Sequence, residues 1–316
     1  MKEVEAKIKE TARRLLADGT VELVLGYEAG SVPLRSTPCF ARTAADVDRL
    51  VWDGTCENNL ARYLVKRPGK TAVVAKGCDS RALVALMREN RFTRDQVYII
   101  GVPCTGMIDR HKVAGILAGR ELVRAAPAAG RLVLEGRGFT ESVELSQVRH
   151  ETCATCRHPN PVLYDVLAGE EVPVRDAPRY ARVEALERLT AAERDAWFAR
   201  EMAKCIRCYA CRQACPMCYC TECFADCTRP VWTGKTNDPG DTLLFHAGRA
   251  YHLAGRCVEC GACDRACPMG VDQFLLIRKI NKDVEDLYGY EAGLKVEDTP
   301  ALATFNPDDP QAFLVE

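Results

Sequence analysis

Residues 205–216 read CIRCYACRQACP, and residues 257–268 read CVECGACDRACP. Both runs follow the pattern Cys-x2-Cys-x2-Cys-x3-Cys-Pro, in which three thiolates bind one 4Fe-4S cluster and the fourth reaches the cluster of the other run. Structural zinc sites instead pair two Cys-x2-Cys knuckles across a longer loop. The repeated spacing therefore predicts two 4Fe-4S clusters.

The crossing of the fourth cysteines gives each predicted cluster four ligands. We expect the first cluster to be bound by Cys205, Cys208, Cys211 and Cys267. We expect the second cluster to be bound by Cys257, Cys260, Cys263 and Cys215. The pattern is typical of an α+β bacterial-type ferredoxin domain, predicted here over residues 204–290 with an insertion at residues 216–256. Such a domain transfers electrons.

Composition limits the partners and the location of the chain. Its 316 residues include 43 Lys and Arg and 44 Asp and Glu, which leave a net charge of −1. A chain this close to neutral lacks the basic character of nucleic-acid-binding proteins. No apolar run approaches the roughly 18 residues that a bilayer span requires, and the N-terminus resembles no secretory or twin-arginine signal. We expect a cytoplasmic protein without direct membrane insertion, because a reducing compartment keeps thiolates available to iron.

Strand and helix patterns alternate in residues 1–150 and predict an α/β domain with a parallel sheet. The residues Thr71–Ala75 form a continuous apolar run, as buried parallel strands do. Strands are expected at residues 21–25, 71–75 and 97–100, and helices at residues 2–17, 57–66 and 80–90.

The periodicity changes after residue 150. Residues 151–203 are expected to form a loop with cluster ligands followed by a helical linker, and residues 291–316 are expected to form a C-terminal tail. From residue 298 onward, this tail reads as a loose surface strap that could dock a partner. Helices are expected at residues 161–167, 182–203, 242–253 and 272–288.

A second group of cysteines lies outside the ferredoxin pattern. Cys78 and Cys104 each follow a predicted parallel strand, at the edge where open α/β sheets bind ligands. Together with Cys153 and Cys156, they supply four thiols. These four could bind a third cluster. Alternatively, Cys78 and Cys104 could be buried packing residues, with the other two forming a zinc knuckle or an isolated pair.

Three motifs in this region carry a family resemblance. They are CDSRAL at residues 78–83, IGVPCTG at residues 100–106 and CATC at residues 153–156. In this order, across roughly residues 20–170, they resemble the iron–sulfur motifs of the beta subunits of coenzyme F-420 hydrogenases and dehydrogenases. The ferredoxin pattern resembles the module appended to formate dehydrogenase beta subunits of that family. The resemblance implies that Cys78, Cys104, Cys153 and Cys156 hold a third 4Fe-4S cluster near FAD.

The sequence departs from this family at its start. The family opens with a glycine-pair segment that is tied to flavin binding, whereas residues 3–8 here read EVEAKI. The chain also contains no Gly-x-Gly-x-x-Gly dinucleotide fingerprint. The resemblance thus implies FAD, and the missing glycine pair argues against it.

A third group of cysteines follows the first ferredoxin run at once. It consists of Cys218, Cys220, Cys223 and Cys227. Their spacing is not a standard one for a cubane, so they could bind a fourth cluster, bind zinc, or remain unligated or redox-active thiols. Cys39 and Cys56 fit packing positions, although either could complete this site.

Charged residues precede the second cysteine run. His246 and His252 flank Arg249 on the helix predicted before Cys257. We expect these histidines to make ordinary hydrogen bonds on a half-buried face. The alternative is that Arg249, His252 or Arg256 places positive charge beside a cluster and raises its potential.

These observations predict an iron–sulfur electron-transfer subunit without catalytic residues of its own, which relays single electrons through three or four 4Fe-4S clusters. By resemblance, it would belong to a formate dehydrogenase, hydrogenase or heterodisulfide-reductase-like complex of anaerobic metabolism. Its partners would be a catalytic dehydrogenase or hydrogenase subunit and a flavin-bearing or heterodisulfide-reductase-like subunit. The alternative is a flavin-dependent oxidoreductase that exchanges hydride with coenzyme F-420 or NAD in the N-terminal domain. A zinc-rich interaction scaffold is a third hypothesis.

Overall fold

The structure, a computed structural model, describes residues 1–128 and 130–301. Its strands are β1 (Leu23–Ala29), β2 (Ser36–Ala41), β3 (Thr71–Ala75), β4 (Val97–Gly101), β5 (Leu122–Ala128), β6 (Arg131–Gly136), β7 (Phe139–Glu144) and β8 (Val166–Leu167). Its helices are α1 (Lys2–Ala17), α2 (Ala44–Val47), α3 (Gly77–Arg88), α4 (Arg110–Leu117), α5 (Glu151–Ala154), α6 (Ala181–Glu187), α7 (Ala191–Met202), α8 (Ala210–Ala214), α9 (Pro239–His252), α10 (Ala262–Arg265) and α11 (Gln273–Tyr288).

The larger sheet contains five strands in the order β2-β1-β3-β4-β8. Strands β1, β3, β4 and β8 are parallel, and Thr71 of β3 lies opposite Val97 of β4. Strand β2 is antiparallel to β1 at the edge, so the sheet is mixed rather than purely parallel as predicted. All five residues of β3 are buried, because this strand occupies the centre of the sheet.

Helices α1 and α3 account for much of the burial around this sheet. Helix α1 buries Ile8, Ala12 and Leu15, whose spacing of four and three residues places them on one helical face. The helix ends before Gly19, which has a φ of +69° and was the predicted stop. Helix α3 is buried along most of its length, because the sheet and the C-terminal part of the chain both pack against it.

Three predicted helices differ from the structure. Residues 57–66 contain only a 3-10 turn at Leu60–Tyr63, which the Asn59 side chain caps by accepting from the Ala61 N–H. Residues 161–167 form no helix, because Asp165 and Ala168 donate to β4 and the segment joins the sheet as β8. The helix predicted at residues 182–203 is split into α6 and α7, since the capping box of Thr190 with Glu193 starts a new helix.

A second, three-stranded antiparallel sheet was not predicted. It has the order β5-β6-β7 and stands over a small separate core. Gly138, with a φ of +79°, lies in the two-residue turn between β6 and β7, where positive φ suits a tight hairpin. The core residues under this sheet are Ile108, Val113, Leu117, Leu132, Leu134 and Val148.

The C-terminal part is helical, and no strand is assigned between residues 204 and 290, all of which are described. The α+β character predicted for this segment is therefore not seen. Each cysteine loop turns tightly and enters a short helix instead of a strand. Beyond α11, the backbone at Ala292 and Val296 accepts from arginines of α3, so the start of the predicted tail is anchored. Residues 302–316 of that tail lie outside the described residues. Within the described ranges, no helix is both long and apolar enough to cross a membrane.

Candidate iron–sulfur sites

The first ferredoxin site is a single cavity bounded by both cysteine runs. Its lining includes Cys205, Cys208, Cys211 and Cys267. This set equals the predicted ligand set of the first cluster, and it includes the cysteine that crosses from the second run. His246 Nε2 lies 3.2 Å from the Cys205 Sγ, a contact that the sequence did not predict. Four thiols around one cavity fit the requirement of a 4Fe-4S cluster.

The two cysteine loops repeat the same backbone conformation. Arg207 has a φ of +53° and donates its N–H to the Cys205 Sγ at 3.3 Å, and Glu259 has a φ of +54° and donates to the Cys257 Sγ at 3.4 Å. The next positive φ falls two residues later in both loops, at Tyr209 and Gly261. N–H groups directed at cysteine sulfurs stabilise negative charge on them. The repeated spacing in the sequence is therefore a repeated backbone in the structure.

The second ferredoxin site lies deeper. Its predicted ligands are Cys257, Cys260, Cys263 and Cys215. Burial, followed by the neighbouring sulfurs of Cys215 and Cys263, raises the pKa of Cys257 well above its ordinary value. Burial likewise raises the pKa of Cys263 to about 12. The structure thus brings these thiols into one desolvated group, in which binding of a cluster has to displace thiol protons.

The N-terminal site draws its cysteines from three parts of the chain. One cavity is lined by Cys78 at the start of α3, Cys104 after β4, Cys153 in α5 and Cys156 just beyond α5. The Gly106 N–H donates to the Cys104 Sγ at 3.4 Å, which repeats the N–H to sulfur contact of the ferredoxin loops. The structure therefore brings together the four cysteines that the family resemblance grouped.

A glycine beside Cys78 permits this convergence. A Cβ atom at Gly77 would lie 1.9 Å from the His158 carbonyl oxygen. The segment that follows Cys156 therefore crosses the start of α3 at a distance that only glycine allows. Burial raises the pKa of Cys78 well above its ordinary value and that of Cys104 to about 12.

These cysteine sites differ from the binding site of a single metal ion. Across residues 1–128 and 130–301, no three His, Cys, Asp or Glu side chains converge closely enough to hold one metal ion. The thiolates of a cubane bind four different irons at four corners, so they stand further apart than the ligands of one ion.

Two buried cations line the N-terminal cavity, and the sequence did not single out either. The Lys76 Nζ lies 2.7 Å from the Asp79 Oδ2. Arg265 donates to the carbonyl oxygens of Cys260 and Glu57 at 2.8 and 2.7 Å. Only their positions in the sequence could have indicated these two residues, because Lys76 follows β3 directly and Arg265 lies inside the second cysteine run.

Arg249 lies beside the ferredoxin sites, as the alternative interpretation of the sequence proposed. Its guanidinium is buried and donates to the Gln273 Oε1 at 3.1 Å and to the Cys211 carbonyl oxygen at 3.2 Å. Burial opposes its charge, but the sulfurs of Cys263 and Cys215 hold the pKa of Arg249 above its ordinary value. A permanent positive charge therefore lies beside both ferredoxin sites.

The other two charged candidates lie elsewhere. Arg256 donates to the Glu89 carboxylate at 2.8 Å, and the His252 ring packs edge-on against Phe224 with 5.0 Å between ring centroids. Both line the cavity of the third cysteine group rather than a ferredoxin site.

The third cysteine group is divided by the structure. Cys218, Cys220 and Cys223 line a cavity of about 340 Å3. Cys227 does not line it, and its Sγ instead lies 3.5 Å from the Cys223 carbonyl oxygen. Three of the four candidate cysteines therefore line one cavity, and the Cys227 side chain contacts the backbone of its own turn.

Cys39 and Cys56 do not complete that site. Cys39 is fully buried in β2, and the Cys56 Sγ accepts from the Asp53 N–H at 3.4 Å. Neither lines the 340 Å3 cavity. Both have the burial of packing residues, which was the leading interpretation.

The cavity beside the N-terminal site offers limited space for the FAD that the resemblance implies. The neighbouring cavity shares Gly106 and Met107 with that site and has a volume of about 140 Å3. Pockets for drug-sized ligands typically occupy 300–1,000 Å3. This cavity is smaller than that range.

Comparisons with known proteins agree with the motifs. Residues 201–271 match the family model of the 4Fe-4S dicluster domain. The chain is 23% identical over 295 residues to F420-dependent formate dehydrogenase subunit beta of Methanocaldococcus jannaschii, with 74% of this chain and 76% of the relative covered. It is 26% identical over an alignment of 352 residues to F420-dependent formate dehydrogenase 1 subunit beta of Methanococcus maripaludis, with 91% and 90% covered.

A solved structure is also similar to part of the chain. It is the F420-reducing NiFe hydrogenase complex from Methanosarcina barkeri, matched with a TM-score of 0.38 and 17% identity. The match covers 50% of this chain and 63% of the hydrogenase chain, which is less than two thirds of that chain's length.

The resemblance and the ferredoxin pattern found in the sequence are thus confirmed by the two curated relatives and the domain match. This chain is a homologue of the proteins named F420-dependent formate dehydrogenase subunit beta, and it carries a 4Fe-4S dicluster domain at residues 201–271.

Proposed function

We propose that the chain is the electron-transfer subunit of a multi-subunit redox complex and relays single electrons through three 4Fe-4S clusters. When bound, each cluster accepts and donates one electron at a time. The first ferredoxin cluster would be held by Cys205, Cys208, Cys211 and Cys267. The second would be held by Cys257, Cys260, Cys263 and Cys215. The third would be held by Cys78, Cys104, Cys153 and Cys156.

One observation carries this proposal. Cys260, a predicted ligand of the second ferredoxin cluster, lines the same cavity as the four N-terminal cysteines. Arg265 lies between the two groups, since its charge interacts with the sulfurs of Cys153, Cys260 and Cys78. Among the described residues, the two sites therefore meet at one cavity wall, through Cys260. Adjacent sites are what an electron relay requires.

Hydrogen bonds from the buried Arg81 connect the two parts of the chain at the junction between these sites. Arg81, three residues after Cys78 in α3, donates to the Ala292 carbonyl oxygen at 2.7 Å and to the Val258 carbonyl oxygen at 3.4 Å. Val258 directly follows Cys257. The buried Arg81 therefore joins the helix that carries one predicted ligand to the loop that carries another.

The first ferredoxin site supplies a surface end for the relay. Cys208 is exposed, whereas Cys211 is buried. Ile206 and Met269, which line the same cavity, have exposed fractions of 48% and 45%. Exposed apolar side chains around a redox site suit contact with a partner protein. We therefore place electron exchange with one partner subunit at this end.

We infer the partners from the relatives. Because both relatives are beta subunits of formate dehydrogenases, we propose a catalytic dehydrogenase subunit as one neighbour. A hydrogenase, heterodisulfide-reductase-like or flavin-bearing neighbour stays a prediction, as does the cytoplasmic location. The alternative of a flavin-dependent oxidoreductase requires bound flavin.

Metal analysis tests the proposal. Protein purified under argon should contain about 12 irons per chain, or about 16 if the third cysteine group also holds a cubane. Cys78→Ala should lose about four irons, whereas Cys39→Ala, which removes a buried thiol outside the cluster cavities, should lose none. Unchanged iron in Cys78→Ala would refute the N-terminal ligand set.

A native pull-down with flavin analysis distinguishes the two functions. We expect the chain to copurify with a catalytic subunit, and the chain itself to release no yellow flavin on acid denaturation. Stoichiometric flavin released by the isolated chain would favour the flavoenzyme. A colourless protein that contains zinc would instead favour the scaffold hypothesis.

A further inference from the structure

The cavity at Cys218, Cys220 and Cys223 is not used by the three-cluster relay. It has a volume of about 340 Å3. The cavities at the N-terminal site and at the first ferredoxin site have volumes of about 40 and 20 Å3 on the same measure. Both are much smaller than the third cavity, which offers space beyond that bounded by its thiols.

The wall of this cavity carries an excess of positive charge. Four arginines line it, and Asp226 is its only carboxylate among the residues that the structure describes. Arg212 is paired with Asp226 at 2.7 Å, while Arg62 donates to the Gln213 carbonyl oxygen at 3.0 Å. Of the remaining two arginines, Arg256 is paired with Glu89 outside the cavity lining, at 2.8 Å, and Arg249 has no carboxylate partner among the described residues. A concave surface with this charge attracts anions.

One of the arginines has an unused donor. Arg249 is only 3% exposed, and its Nε has no hydrogen-bond partner within the described part of the chain. Buried N–H groups are almost always hydrogen-bonded, so an unpartnered one in a cavity wall indicates an acceptor that binds there. Iron–sulfur clusters and small anions both provide such acceptors.

The cavity also adjoins the relay. The side chain of Cys218 contacts that of Cys215, a predicted ligand of the second ferredoxin cluster. Arg249 lines the cavity and donates to the Cys211 carbonyl oxygen in the first ferredoxin loop. A redox group in the cavity would therefore stand next to the ferredoxin module.

We propose that Cys218, Cys220 and Cys223 bind a fourth iron–sulfur cluster through three thiolates, and that the arginine-lined space beside it receives a small anionic ligand. This inference rests on the proposed function, because the cluster would extend the same relay. A cubane has four irons, and Cys227 does not line the cavity. One iron thus has no cysteine of this group facing it, and an external anion can complete its coordination.

Two cysteine variants of one segment test the ligand set. Cys220 is exposed and lines the cavity, so Cys220→Ala should preserve the fold and lose up to four irons with matching acid-labile sulfide. Cys227→Ala changes the same residue type seven positions later, and it should retain the wild-type iron content. Equal iron content in the wild type, Cys220→Ala and Cys227→Ala overturns the proposal. Equal loss from both variants also overturns it, because it would make Cys227 a ligand.

Metal identity and anion binding complete the test. Cyanide, a small anion that binds iron, should shift the electron paramagnetic resonance spectrum of dithionite-reduced wild-type protein and leave that of Cys220→Ala unchanged. An unaffected wild-type spectrum overturns the anion site. Zinc that is present in the wild type and lost in Cys220→Ala overturns the cluster. A wild-type protein with three clusters refutes only this inference, whereas one with no cluster refutes the relay itself.

Discussion

Cys260 lines the cavity that contains Cys78, although the two residues come from cysteine groups at opposite ends of the chain. Cys260 belongs to the second ferredoxin run, and Cys78 starts the helix that follows a central strand of the sheet. One contact between the α/β part and the ferredoxin part is thus made at their predicted cluster ligands. Several measurements can show whether this contact conducts electrons.

Loss of an exposed ligand should remove one cluster without unfolding the protein. Cys208 is exposed in the first ferredoxin loop, so Cys208→Ala removes little buried surface. We expect a loss of about four irons and interrupted electron flow to the partner. The circular dichroism spectrum of the variant should match that of the wild type. Cys56→Ala, which removes a buried thiol outside the cluster sites, is the control. Unaltered iron and turnover in Cys208→Ala would count against the ligand assignment.

Removal of the cation between two sites should lower their potentials. Arg265 interacts with the sulfurs of Cys153, Cys260 and Cys78, and a nearby positive charge favours the reduced, more negative form of a cluster. Arg265→Gln should shift a midpoint potential downward by about 60 mV, which is a tenfold change for one electron. Redox titration followed by electron paramagnetic resonance measures this shift.

The conservative variant separates charge from packing at this position. Arg265→Lys keeps the charge and loses the paired hydrogen bonds to Cys260 and Glu57. The midpoint potential of Arg265→Lys should therefore lie close to that of the wild type. If Arg265→Lys and Arg265→Gln shift the potential equally, the effect of Arg265 is structural and the electrostatic explanation is wrong.

The ion pair beneath the N-terminal site should contribute strongly to stability. The Lys76 Nζ lies 2.7 Å from the Asp79 Oδ2, and both side chains are almost fully buried. Lys76→Met leaves the Asp79 carboxylate buried without its partner, which should cost about 3–5 kcal/mol in the free energy of unfolding. The double variant Lys76→Met/Asp79→Asn should recover part of this loss. Denaturant unfolding of the three proteins measures it, and a cost below about 1 kcal/mol for the single variant would disprove the prediction.

The contact that anchors the segment after α11 should depend on pH. Burial opposes the charge of Glu291, but the hydrogen bond with His158 and the charges of Arg81 and Arg179 lower the pKa of Glu291 to about 2, from an ordinary 4.5. A lowered pKa stabilises the folded state at pH values above 4.5, and this stabilisation disappears as the pH falls through 2. The shift corresponds to about 3 kcal/mol at neutral pH.

Glu291→Gln tests this linkage. At pH 7 the variant should be less stable than the wild type by about 3 kcal/mol, and the difference should shrink as the pH falls below 4.5. Glu297→Gln, an exposed position of the same segment, should have no comparable effect. A difference that is independent of pH would mean that the Glu291 charge is not the source of the stability.

Part of the fold was readable from local patterns. Strand β3 lies where a continuous apolar run predicted it, and α1 begins and ends where its apolar periodicity and Gly19 indicated. The segment at residues 161–167 was misread as a helix, because its hydrogen bonds to β4 decide its conformation. The sheet at β5, β6 and β7 was missed, although Gly138 between two alternating segments was a hairpin signal.

The sequence by itself determined the two ferredoxin loops and the grouping within them. Ligands three or four residues apart are held near one another by the covalent chain, so their spacing alone predicts a shared site. The tertiary structure decided everything that depends on distant residues. It brought Cys260 to Cys78, placed Lys76 and Arg265 in the same cavity, and left Cys227 outside the cavity that Cys218 lines. Such convergence depends on how helices and loops pack across the molecule, and no spacing along the chain encodes it.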